Sequence, residues 1–200
     1  MNRKKNLHKL IVLWIIPIFL SSACTDRKEN YIPKPRGYFR IEVPEHQFQK
    51  LDTTLPFGLK YSQSANYSFI SKEEGKYWID ITYPALNATL NMTYIPLNND
   101  LRKLALEEEK MINFHIEHGK ADDVQFHYID DPIHKVYGRL YDIEGRTVAI
   151  PLQFWISDSS RHYLRASLHF NFAPDNDSLQ PVIQFLREDV LEMINSMYWK

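Results

Sequence analysis

The chain predicts an α+β fold, a mainly antiparallel sheet packed by two helices into a sandwich-like arrangement. Three observations carry this. Hydrophobic residues alternate with a period of two in most segments between residues 37 and 170, and a helical period appears only twice, over 100–118 and after residue 178. The order is several strands, a helix, several strands, a helix, whereas a doubly wound parallel sheet would alternate strand and helix throughout. With 200 residues, 44% of them hydrophobic and 14% aromatic, the chain has enough apolar surface for one sizeable core.

The N-terminus reads as a secretory signal. Arg3, Lys4, Lys5 and Lys9 form a basic region with no acidic residue before Cys24, and "LIVLWIIPIFL" from Leu10 to Leu20 supplies an apolar core. As an uncleaved helix those eleven residues would cover about half of a roughly 30 Å hydrocarbon layer, so cleavage is the expectation. "LSSAC" then resembles a bacterial lipobox, in which the thiol of Cys24 takes a diacylglycerol and becomes the first residue of the mature protein. Leu20 lies four residues before the cysteine rather than three, with Ser21 in the usual leucine position. The alternative is a secreted protein with one spare thiol, an unusual feature in an oxidising compartment.

The domain organisation expected is therefore a signal peptide over 1–23, a lipidated cysteine and tether over 24–35, and one α+β domain over 36–200. In the tether, "TDRKENYIPKP" shows no periodicity, and Pro33 and Pro35 stiffen its end. Residues 1 to 24 hold four of the 24 Lys and Arg and none of the 25 Asp and Glu, which leaves 20 against 25 and a net charge near −5. That balance argues against a nucleic-acid face or a polybasic membrane patch. No stretch after Cys24 reaches the roughly 18 apolar residues of a spanning helix. Membrane attachment is thus expected through the lipid, each buried CH₂ contributing about 0.8 kcal/mol.

Within the domain, "GYFRIEV" sets Phe39, Ile41 and Val43 on one face of an expected strand. "YWIDITY" does the same with Tyr77, Ile79, Ile81 and Tyr83 opposite Trp78, Asp80 and Thr82, and "NATLNMTY" with Ala88, Leu90, Met92 and Tyr94. Two-faced strands of this kind belong to an antiparallel sheet with one face on a core. From Asp100 to His118, Leu101, Leu104, Ala105, Met111, Ile112 and His115 recur at helical spacing around a charged interval from Glu107 to Lys110. Asn98 or Asn99 suits the cap, and Gly119 the terminating turn. "DVQFHYI", "KVYGRLYDI", "TVAIPLQFWIS" and "HYLRASLHF" follow as an expected meander of hairpins. In the third, Val148, Ile150, Leu152, Phe154 and Ile156 share a face and Pro151 points to an edge or a bulge. The last helix is expected to be capped by Asp177 or Ser178, with Pro181 in its first turn and Val182, Phe185, Leu186, Val190, Met193, Ile194 and Met197 as its stripe. In outline this is similar to the Mog1/PsbP-like architecture, an analogy of fold that implies no activity.

Chemistry-bearing patterns are sparse. The chain has no Gly-x-Ser-x-Gly elbow, no HExxH and no phosphate-cradling glycine loop, so no catalytic residue, metal or cofactor is expected. His115 and His118 are three apart on a helix, but His118 suits its C-terminal end. His162 and His169 fall on opposite faces of one strand, and Asp175, Asn176 and Asp177 lack the spacing of a calcium loop. Candidates for partner contact are the outward aromatics Trp78 and Trp155 and the polar residues Asp158, Arg161 and Arg165 around "SDSSRHYLR", a stretch that a hairpin turn also explains.

Several of these segments, taken in order, resemble the gliding-motility lipoprotein GldD family of Bacteroidota: the signal and Cys24, "PKPRGYFRIEVPEH", "KVYGRLYDIEG", "QFWISDSSRHYLRASLHF" and "DSLQPVIQFLREDV". The resemblance covers the mature chain. It implies a non-enzymatic, periplasm-facing envelope lipoprotein whose partners are other gliding or secretion proteins and which supports gliding and type IX secretion. Cys24 is the one functional position carried over. A module binding an envelope glycan or peptidoglycan fragment through Trp78 and Trp155 is the alternative, and an unrecognised hydrolase the third.

Overall fold

The computed structural model describes residues 41–51, 54–72, 75–118 and 121–200. Cys24, the signal, the tether and residues 37–40 of the first expected strand lie outside the described residues. Seven strands make the main sheet: β4 (Asn66–Ser71), β5 (Tyr77–Tyr83), β6 (Ala88–Pro96), β7 (Asp123–Asp131), β8 (Val136–Glu144), β9 (Leu152–Ser157) and β10 (His162–Phe170). Their spatial order is β4-β5-β6-β10-β9-β8-β7, antiparallel at every step, so β7 to β10 form the expected meander. Two small ribbons complete the strands among the described residues: β1 (Phe48–Lys50) with β3 (Lys60–Ser62), and β2 (Phe57–Gly58) with β11 (Tyr198–Trp199).

Helix α2 (Asn176–Asn195) supplies the core's second layer. Val182, Phe185, Leu186, Val190, Met193 and Ile194 repeat at helical spacing and are buried with Ile79, Ile81, Leu90, Met92, Phe154, Ile156, Leu164 and Leu168 from one face of the sheet. Helix α1 (Leu101–Glu117) lies on the other face, where Ile112 packs with Tyr141, Ile143 and Val148. The α+β class read from the sequence is the class observed.

Local details differ from expectation for identifiable reasons. Residues 41–47 form no strand: Ile41 packs partly against the core, but Val43 is exposed and Pro44 removes a donor. Alternation there marks one inward side chain without a pairing partner. β9 begins at Leu152, because Pro151 stands just before its first residue and accepts from the Ile143 N–H. It is an interior strand, so Pro151 marks neither an edge nor a bulge within it, and Val148 turns to the α1 layer instead of joining Leu152, Phe154 and Ile156. The cap of α1 is Asp100, not Asn98 or Asn99; Asn99 takes a left-handed φ of 58°. Helix α2 starts before Ser178, capped by Asp175, because the buried Asn176 amide donates to the carbonyls of Gly145 (2.8 Å) and Val148 (3.0 Å) and pins the helix start there. Pro181 thereby falls inside the helix, past its first turn, on an exposed side.

Candidate functional site

Strand register assembles the outer face of the sheet row by row. One row runs across all seven strands as Ile70, Trp78, Thr93, Arg165, Trp155, Arg139 and Tyr128, each directly opposite the next. Beside it run Ser68, Asp80, Asn91, Ser167, Gln153, Tyr141 and Phe126. Neighbouring strands are about 4.8 Å apart, so Trp78 and Arg165 stand about 10 Å from each other with Thr93 between them. Three residues singled out from the sequence, Trp78, Arg165 and Trp155, thus share one line although the first and the second are 87 positions apart in the chain.

Helix α1 crosses these rows and divides them. Its Glu108, 1% exposed, accepts from Arg165 Nη1 at 3.0 Å and from Gln153 Nε2 at 2.6 Å, and its Glu109 accepts from Arg139 Nη1 at 2.7 Å. Placing a carboxylate under a helix requires such paired donors. The underside of α1 is therefore polar, while Leu106, Met111, Phe114 and Ile116 are exposed large apolar side chains of the same helix. Beneath it Trp155 stacks on Tyr163 with centroids 5.9 Å apart, and burial pushes the Tyr163 phenol above its ordinary range. Trp155 is half-buried by this packing.

Toward β4 the face is open. Trp78 is 54% exposed, with the Lys72 ammonium 4.1 Å from its ring centroid. It lines a cleft of about 330 Å³ with Ser68, Ile70, Asp80 and Asn91, and Asn91 donates to the Asp80 carboxylate. A second cleft, of about 120 Å³, shares Asn91 and Thr93 with the first and continues along Ser167, Arg165, Gln153 and Glu108. On the far side of α1, Trp155 borders a separate cleft with Arg139 and Tyr128, the guanidinium lying over the Tyr128 ring at 5.3 Å.

Asp158 and Arg161 stand elsewhere, at the β9–β10 turn. Burial alone would raise Asp158, yet donations from the backbone N–H of Arg161 (2.7 Å), His162 (2.8 Å) and Ser160 (3.0 Å) hold its carboxyl at about 2. It organises the turn, and Arg161 is exposed beside it. Arg165 lies four residues further along the strand, about 13 Å away, and pairs with Glu108, so these three residues do not form one rim. His118 closes the end of α1, its ring stacked 3.8 Å from Phe114, while the side chain of His115 is outside the described residues.

On the core side of α2 sits a buried carboxylate that sequence reasoning missed. Asp189 is fully buried; its Oδ1 is 2.8 Å from Nδ1 of His46, whose Nε2 is 2.9 Å from Glu188 and whose ring stacks on Phe185 at 4.4 Å. Burial raises the Asp189 pKa; the hydroxyls of Ser62 and Tyr83 interact with the carboxyl and offset this in part, but Oδ2 has no hydrogen bond of good geometry. In composition this approaches a Ser-His-Asp set, yet Nε2, the atom that would face a nucleophile, is held by Glu188. The arrangement clamps the segment before β1 to the helix. A further polar cleft of about 330 Å³ opens between α2 and β7–β8, around the bidentate Arg187–Asp142 pair.

Residues 28–199 match the family described as gliding motility lipoprotein GldD. The chain belongs to this family. The matched segment takes in every described element and begins beyond Cys24. Among curated proteins none matches. Among solved structures the chain is similar to the solution structure of cyanobacterial PsbP (CyanoP) from Synechocystis sp. PCC 6803, at 11% identity and a TM-score of 0.44, covering 79% of this chain and 95% of that one. A likeness of that degree carries no argument about function. Among the described residues no helix is long and apolar enough to cross a membrane, and no group of three His, Cys, Asp or Glu could hold a metal ion. The signal that could have found Asp189 is an acidic residue on an otherwise apolar helical stripe, between Leu186 and Val190.

Proposed function

We propose that this GldD-family protein is a non-enzymatic envelope lipoprotein that supports assembly or stability of the gliding and type IX secretion machinery through protein contacts. In this reading residues 1–23 are removed, Cys24 carries the lipid, residues 24–35 are the tether, and the domain from residue 36 faces the periplasm. The family match over residues 28–199 carries the proposal. Two features support a contact role: the exposed apolar side chains of α1, and the occupation of both His46 nitrogens by carboxylates, which leaves neither free as a general base. Trp78 and Arg161 are the accessible members of the contact set read from the sequence; Trp155 and Arg165 are partly covered by their packing under α1, and Asp158 is committed to its turn.

Deleting the gene and scoring colony spreading together with secretion tests the proposal. Loss of spreading with reduced secretion is expected, and normal performance in both overturns it.

A further inference from the structure

We propose that the open half of the outer sheet face binds a neutral oligosaccharide, with Trp78 as the stacking platform and Asp80, Asn91 and Arg165 as polar contacts. The inference rests on the groove alone and goes beyond the machinery-support reading.

Shape comes first. The 330 Å³ cleft at Trp78 and the 120 Å³ cleft at Arg165 share Asn91 and Thr93, so they form one groove that runs across β5, β6 and β10. The floor is strand, which holds its side chains by register rather than by loop conformation. Trp78 and Arg165 are two strands apart, about 10 Å, so a ligand touching both has the length of at least two sugar rings.

Chemistry selects the ligand class. More than half of Trp78 is exposed, and its ring already holds the Lys72 ammonium, so the π-face accepts positive density. The C–H face of a pyranose offers the same polarity over a larger area and can displace a side chain at the end of β4. Lys72 and Arg165 are balanced along the groove by Asp80 and the buried Glu108. An anion would meet the exposed Asp80 carboxylate, and a cation the Lys72 ammonium and the Arg165 guanidinium. A ligand with many hydroxyls and no charge meets acceptors at Asp80, a donor at Arg165, and groups of both kinds at Asn91, Thr93 and Ser167. These groups are pre-arranged: Asn91 is bonded to Asp80, and Arg165 and Gln153 are fixed through Glu108.

Binding is measured on the full-length protein in a detergent whose headgroup carries no sugar. Cellotriose, maltotriose and tri-N-acetylchitotriose serve as neutral probes and trigalacturonic acid as the anionic one, followed by tryptophan fluorescence and titration calorimetry. At least one neutral trisaccharide is expected to bind at millimolar concentration or below, with the acidic trimer about tenfold weaker or more. Trp78→Ala weakens binding about tenfold, Asn91→Ala weakens it measurably, and Lys50→Ala, exposed on the separate β1 ribbon, leaves it unchanged. Trp78 is exposed, so its variant keeps the wild-type melting curve, which separates lost binding from lost folding. Absence of binding by every neutral probe, indifference to Trp78→Ala, or preference for the acidic trimer overturns the inference. Because the measurement uses purified protein, its failure leaves the motility phenotype of a deletion untouched.

Discussion

Replacing His46 by Ala tests how the segment before β1 is held to the domain. Two losses are expected. The first is the ring stacked on Phe185, and an aromatic pair contributes about 0.5–1.5 kcal/mol. The second is the partner of Asp189, a fully buried carboxyl whose Oδ2 already lacks a good hydrogen bond, and an unsatisfied buried group costs about 1–3 kcal/mol. Together they predict a destabilisation of about 2–4 kcal/mol at pH 7, read as a lower urea midpoint at unchanged slope. The pH dependence identifies the cause. Burial raises Asp189 above its ordinary 3.8, and His46 is among the groups that hold it down, so in the variant the folded-state pKa rises further. Below 3.8 the Asp189 carboxyl is protonated in both states and the loss is confined to the stacking and the solvent-exposed contact with Glu188; as pH rises from there toward the raised folded value, the folded variant retains a proton the unfolded chain has released, and stability falls. The penalty is therefore larger at pH 7 than at pH 4. In an Asp189→Asn background the same substitution costs the stacking, about 1 kcal/mol, and the exposed Glu188 contact, which adds little. A penalty independent of pH, or one that survives in full beside Asp189→Asn, would refute this reasoning.

Two further outcomes follow from the geometry. Asp158→Ala removes the acceptor of three backbone N–H groups and costs about 1–2 kcal/mol by urea denaturation at pH 7; since the folded carboxyl sits at about 2, the native contribution is full above 3.8 and disappears as pH falls through 2. Helix α1 rests on polar contacts and one well-buried apolar residue, Ile112, so its amides exchange with deuterium well before those of α2, whose stripe enters the main core; equal protection of the two helices contradicts that ordering.

Much of the fold was legible because burial and period coincide. In β10 the alternation of Leu164, Ala166, Leu168 and Phe170 against Tyr163, Arg165, Ser167 and His169 is the observed facing, with the first set in the main core. The α2 stripe was legible for the same reason. Over 41–43, the described end of the first expected strand, alternation misled, since a period of two reports facing and not the presence of a pairing strand. The short strands β1 to β3 carried no periodic signal, being held by pairings such as Tyr198 with Gly58, which sequence-local patterns do not contain. Glu108 looked like part of a solvated charged interval because its partners, Arg165 and Gln153, come from strands 57 and 45 residues away. The row joining Trp78, Arg165 and Trp155 was equally hidden. Each was visible as an outward residue, but their alignment depends on the register of four strands.

The anchored-support proposal is tested most directly by Cys24→Ser expressed in a strain lacking the native gene. The proposal predicts that this variant takes up no labelled palmitate, leaves the membrane fraction, and fails to restore colony spreading. A variant that remains membrane-bound and labelled, or one that restores full spreading from the soluble fraction, would contradict it.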